Sequence, residues 1–279
     1  MMLRSSLGNV GHFNAALIGL SVGVVADCPV FADHHGPAST TPTRQIEAIE
    51  SAHGGPALAE KQLLTARYSL GFGEMKLDGR VTFSPSMDRV RLEVDGTAVM
   101  GYDGDTAWMA AEAGASVPGP PPRFHLFTWP YFVVAPFKLD DQGTRHTDAG
   151  VLPVTDLDDQ RPGVRITFGE GVGDAPDDWY IAFADPDHGR LDALAYIVTY
   201  GKSKEEAEVT PSIILYSDYA EIDGVWLARE WSFHFWDPAS GLSEQKGSAR
   251  LSDFEFVASD AELFAVPADA ERLAAPKTE

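Results

Sequence analysis

Eight histidines, one cysteine and 42 acidic side chains are the residues from which catalytic or metal chemistry would have to be built. The histidines are His12, His34, His35, His53, His125, His146, His188 and His234. No two of them form the helical pair that sets two imidazoles on one metal ion. His34-His35 lies among Gly, Pro, Ser and Thr and reads as solvated tail. His188 sits in Asp185-Pro186-Asp187-His188-Gly189, where carboxylates crowd an imidazole as in a metal loop, but a hairpin turn accounts for the same residues. Serine-elbow and phosphate-loop motifs are absent, and Gly169-Glu170-Gly171-Val172-Gly173 places an acid where phosphate would lie, so it reads as a loop. The pairs Asp140-Asp141, Asp158-Asp159 and Asp177-Asp178 would permit acid–base hydrolysis, yet this density of acids produces adjacent pairs on any solvated surface. No cofactor and no metal is implied, and an enzyme is not the expectation.

The informative residues are aromatic. Tryptophans stand at Trp108, Trp129, Trp179, Trp226, Trp231 and Trp236, with Phe and Tyr on the same stretches, and each such ring buries roughly 150–250 Å². Residues 124–137, Phe-His-Leu-Phe-Thr-Trp-Pro-Tyr-Phe-Val-Val-Ala-Pro-Phe, form the most apolar run outside the leader. One reading is a thick core. The other is an apolar cavity enclosed between a curved sheet and this run, lined by Trp108, Phe124, Phe127, Trp129, Phe132, Phe137, Trp179 and Trp226. Membrane insertion by the run is a third and weaker reading.

The elements that must position these rings follow from periodicity. Thr43 is expected to cap a helix carrying Ile46, Ile49 and Ala52 on one face and ending at His53-Gly54-Gly55, with a second short helix over 56–64. From Ala66 the period shortens to two, and Asp78-Gly79, Asp95-Gly96 and Asp103-Gly104 read as turns of an antiparallel meander reaching Trp108. Pro130 and Pro136 are expected to divide 124–137 into one or two short helical turns. Strands resume over 163–168, 179–184, 191–200, 211–222, 225–236 and 243–257, and a polar tail follows.

The N-terminus reads as an export signal. Arg4 precedes a twelve-residue apolar stretch over 15–26, too short to span a bilayer, and Val30-Phe31-Ala32 supplies a cleavage site before Asp33. Asp27 spoils the alternative that Cys28 is acylated, because a small residue is needed there. With Cys28 removed, the mature domain has neither disulfide nor thiolate. The expected organisation is a signal peptide (1–32), a tether (33–43), one β domain (44–268) and a polar tail (269–279), periplasmic or secreted and not membrane-spanning once the leader is gone. The net charge of -21 repels nucleic acid and anionic headgroups, so neither is an expected partner.

The opening helix ending in Ala52-His53-Gly54-Gly55, the meander Val99-Met100-Gly101-Tyr102-Asp103-Gly104-Asp105-Thr106-Ala107-Trp108, the insert over 129–139 and Asp223-Gly224-Val225-Trp226 together resemble the periplasmic lipoprotein-carrier superfamily typified by LolA and LolB. The resemblance implies a mainly β (α+β) fold in which a strongly curved, unclosed antiparallel sheet, a half-barrel, wraps around short helices. It also implies an interior that receives an acyl chain, a lipid or a lipidated protein without catalysis. An envelope protein-protein interaction module and a carboxylate-based hydrolase are the alternatives.

Overall fold

The computed structural model describes residues 41–112, 114–169 and 173–276. The leader, the tether up to residue 40, Glu170 to Val172 of the glycine-rich loop and the last three residues of the tail lie outside the described residues. The chain opens with α1 (Pro42–Ala52) and α2 (Gly55–Leu58). Thr41 rather than Thr43 is the cap, because Pro42 fits the first helical position and leaves Thr41 Oγ1 to accept from the Arg44 N–H. Ile46 and Ile49 are buried at helical spacing. Between the helices Gly54 has φ +87°, and a Cβ there would lie 2.0 Å from the Gly224 carbonyl oxygen, so only glycine fits.

Two antiparallel meanders follow. The first is β1 (Leu63–Phe72), β2 (Met75–Phe83), β3 (Val90–Val94), β4 (Ala98–Tyr102) and β5 (Ala107–Ala111). The second is β6 (Thr144–Pro153), β7 (Gln160–Phe168), β8 (Trp179–Ala184), β9 (Leu191–Tyr196), β10 (Ser212–Ile222), β11 (Val225–Asp237) and β12 (Gly241–Val257). Pairing of β1 with β12 joins them into one sheet, and β13 (Glu271–Arg272) adds to the edge at β5, so the tail contributes an edge strand. The connection from β5 to β6 runs from one side of this sheet to the other. In a flat sheet those strands would lie roughly 50 Å apart. The connection instead carries α3 (Pro122–Val134), whose length is only about 20 Å, across the face of a strongly curved, unclosed half-barrel. A short α4 (Lys204–Glu208) precedes β10.

Two expectations need correction. Asp78-Gly79 is not a turn: Phe72 pairs with Met75, so the hairpin closes at Gly73-Glu74 and β2 runs straight through Asp78 and Gly79. Gly79 is there because the Tyr68 ring crosses it to donate from Oη to the Glu93 carbonyl at 2.7 Å, and a Cβ on residue 79 would meet that hydroxyl at 2.5 Å. Nor does Pro130 divide the aromatic run. The helix continues through it and changes to a 3-10 turn only at Ala135–Phe137. Loss of one N–H is outweighed by burial of Leu126, Trp129, Phe132, Val133 and Val134 on a helix that is apolar nearly all round.

The core fills the face that carries α1 and α3, with Leu64, Phe83, Leu92, Leu194, Ile214 and Phe233 fully buried. A second cluster, Trp179, Ile181, Phe183, Ala193, Ala195 and Ile213, covers the opposite face of β8 to β10 under α4. Strands buried on both faces lose the simple apolar–polar alternation. Among the described residues no helix is long and apolar enough to cross a membrane.

Candidate functional site

A cavity of about 400 Å³ opens between α3 and strands β7 to β9, within the range of small-molecule sites. The helix supplies Arg123, Phe124, Phe127, Thr128, Tyr131 and Phe132. Four residues apart, Phe124 and Thr128, Phe127 and Tyr131, and Thr128 and Phe132 share one helical side. The pleat of the facing strands supplies the other wall: Tyr180 of β8 lies opposite Tyr196 of β9, and both project to the helix-bearing face with Phe168 at the end of β7. The rings interlock. Tyr131 stacks on Tyr180 with centroids 5.7 Å apart, Phe168 meets Tyr180 edge-on at 5.6 Å, and Phe132 lies 5.3 Å from Tyr196. At the other end Phe127 meets Tyr102 at 5.2 Å and Phe124 meets Tyr200 at 5.4 Å.

Charged groups sit in this aromatic wall. Arg123, at the start of α3, holds Asp174 of the β7–β8 loop through two bonds, Nε to Oδ2 at 2.6 Å and Nη2 to Oδ1 at 2.9 Å. Its Nη1 donates to the Leu273 carbonyl at 3.2 Å, and its guanidinium lies over the Phe127 ring. Lys138 pairs with Asp141. Asp178 accepts at Oδ1 from the Thr199 N–H at 2.6 Å and the Thr199 hydroxyl at 2.8 Å. Burial lifts its pKa to about 6 against those hydrogen bonds. Among the described residues the buried Tyr131 hydroxyl makes no well-formed hydrogen bond, lying beside the Tyr180 side chain. Beyond the wall, Lys246 donates to the Ser212 hydroxyl and lies over the Tyr196 ring, with burial drawing its pKa down to about 8.

Of the rings expected from sequence, Phe124, Phe127 and Phe132 line this cavity. The others lie elsewhere. Trp129 is buried on another side of α3, donating to His125 Nδ1 at 3.0 Å and packing on Phe72. Trp108 is buried in β5 with Nε1 donating to the Phe264 carbonyl at 3.2 Å. Phe137 packs edge-on against His53. Trp226 lies under the Arg190 guanidinium at 4.2 Å. Trp179 belongs to the opposite face, between Arg165 at 4.5 Å and Glu208, whose carboxylate accepts from its Nε1. The tyrosines Tyr102, Tyr131, Tyr180, Tyr196 and Tyr200 were the signal passed over: alternation puts Tyr180 and Trp179 on opposite faces, and only packing decides which face meets the helix. His188 bonds Asp185 within the β8–β9 turn, and among the described residues no group of three or more His, Cys, Asp or Glu is placed to hold a metal ion.

No family model and no curated protein matches the chain. Solved structures do. A LolA superfamily protein from Nitrosomonas europaea superposes with a TM-score of 0.52 at 8% identity, over 82% of this chain and 99% of its own. A DUF1329 family protein from Desulfovibrio piger gives 0.49 at 14% identity over 81% and 98%. An outer membrane lipoprotein-sorting protein domain from Vibrio parahaemolyticus gives 0.43 at 11% over 77% and 93%. At such identities the first of these speaks for the fold. This chain has the fold of the LolA superfamily, an unclosed antiparallel half-barrel wrapped around short helices.

Proposed function

We propose that the protein is a non-enzymatic carrier or sensor that shelters the apolar part of a lipid, an acyl chain or a lipidated protein between α3 and strands β7 to β9. The observation that carries this reading is the cavity itself, a hollow with an aromatic wall between α3 and strands β7 to β9, beside a cluster of buried apolar side chains. Each methylene buried there contributes ~0.8 kcal/mol, so an alkyl chain binds usefully without any reacting group. We further propose export behind a leader cleaved after Ala32, to the periplasm or beyond, which the intact mass of exported protein checks through a chain beginning at Asp33.

Uptake of an uncharged apolar fluorophore such as N-phenylnaphthylamine tests the reading. Phe127→Asp puts a carboxylate into the wall at a half-buried position, so uptake should fall at least about ten-fold while the far-UV spectrum is unchanged. Unchanged uptake would remove the cavity from the account. A second reading, docking of an envelope protein, rests on β6, a ten-residue edge strand that among the described residues pairs only with β7.

A further inference from the structure

The charges in the cavity wall are unevenly matched. Arg123 is answered by Asp174 and Lys138 by Asp141. Asp178 has no cation at ion-pair distance among the described residues, since Thr199 offers it only a neutral N–H and a neutral hydroxyl. Around Asp178 stand Tyr131, Tyr180 and Tyr196. Burial raises the pKa of all three phenols, and the charge of Asp178 adds to the rise in each.

Each polar feature at this end favours positive charge. A carboxylate held among rings is costly to bury until a cation joins it. Ring faces attract cations and repel anions. The Tyr131 hydroxyl, buried beside Tyr180, offers an oxygen that accepts from the N–H of an alkyl ammonium, while a quaternary ammonium is held by the ring faces and the carboxylate alone. The surrounding ions do not reverse this. Asp177 adds negative charge beside Asp178, Lys202 acts on it only at a distance, and Lys246 lies behind the Tyr196 ring, bonded to Ser212.

We propose that the cavity selects amphiphiles with a cationic head, an alkyl ammonium or quaternary ammonium, seated against Asp178 and the rings of Tyr131 and Tyr180, with the apolar chain along Phe124, Phe127 and Phe132. This rests on the carrier reading and names its ligand class. A fatty-acid anion or a phosphate head in the same place meets like charge and electron-rich ring faces.

Displacement of N-phenylnaphthylamine by dodecyltrimethylammonium, dodecanol and dodecanoate, each below micelle formation and in physiological salt, tests the selection. The wild type should bind in the order ammonium, alcohol, carboxylate, with about ten-fold or more between the first and last. Asp178→Asn keeps an oxygen for Thr199 and should bring the three within about three-fold, whereas Asp177→Asn, exposed next door, should leave the order intact. Should the Asn variant lose its far-UV spectrum, Asp178→Ser replaces it. Equal displacement by all three ligands, or a preference that survives loss of the Asp178 charge or disappears in the Asp177 variant, overturns the selection and leaves the carrier reading standing. Failure of every ligand to displace the probe overturns both.

Discussion

His53 ties the opening helix to two strands through its ring. Nε2 accepts from the Leu191 N–H at 2.9 Å, so the proton must sit on Nδ1, which donates to the Trp226 carbonyl at 2.9 Å. The His53 carbonyl takes the Trp226 N–H in return. Burial lowers the imidazole pKa from 6.5 to about 4. A depressed histidine contributes stability that is complete above pH 6.5 and lost as pH falls to about 4, by roughly 3 kcal/mol. Asp178 acts with the opposite sign. Its carboxyl is raised from 3.8 to about 6, so its contribution is present below 3.8 and lost as pH rises through about 6, which costs about 3 kcal/mol at neutral pH. Between pH 4 and 6 the two nearly cancel in the wild type. Urea midpoints across pH should therefore separate them: Asp178→Asn gains about 1–2 kcal/mol at neutral pH and loses stability on acidification, while His53→Gln gains on acidification. Profiles parallel to the wild type in both variants would contradict these assignments. His53 was legible as part of the helix stop in Ala52-His53-Gly54-Gly55, but its partners lie 138 and 173 residues away, beyond any local signal.

At the scale of elements, α3 is held at its start by Arg123 and along its length by ring packing. Arg123 reaches both the β7–β8 loop through Asp174 and the C-terminal segment through the Leu273 carbonyl. Arg123→Met keeps the stem over Phe127 but strands Asp174 without its two bonds, and should lower stability by about 1–3 kcal/mol. A thermal midpoint unchanged within error would show the clamp to be idle. Much of the element order was readable, because Asp95-Gly96, Asp103-Gly104 and Asp223-Gly224 are hairpin turns where their φ values require it. The exceptions have separate causes. Gly79 looked like a turn because its role, clearing the Tyr68 ring, is tertiary. Strand β6 escaped notice because it is a mostly exposed edge with no apolar alternation. Helix α4 was legible in principle, since Ser203 and Glu206 form a capping box, but at five residues it carries almost no periodicity.

On the scale of the molecule, the sheet order explains why there is a hollow. Two meanders are sewn together at β1 and β12, and the chain crosses the face between β5 and β6 on a single helix. Helices α1 and α3 cover only part of a curved face this wide, and the cavity opens beside α3 over β7 to β9. The curved, unclosed sheet follows from the resemblance, whereas α3 runs unbroken from Pro122 to Val134 where the prolines imply only short helical turns, and Phe124, Phe127 and Phe132 are the expected rings that line the cavity. Sequence reading also gathered tryptophans from both faces of the sheet, because Trp179, buried opposite the helix, looks the same in sequence as a lining residue.

Native mass spectrometry of the protein purified gently from an envelope fraction, with organic extraction of the same sample, tests the central claim most directly. The account predicts a population carrying one non-covalent adduct of lipid size, recovered on extraction and lost in Phe127→Asp. Protein that is uniformly free of adduct, and that takes none up when incubated with alkyl ligands, would contradict it.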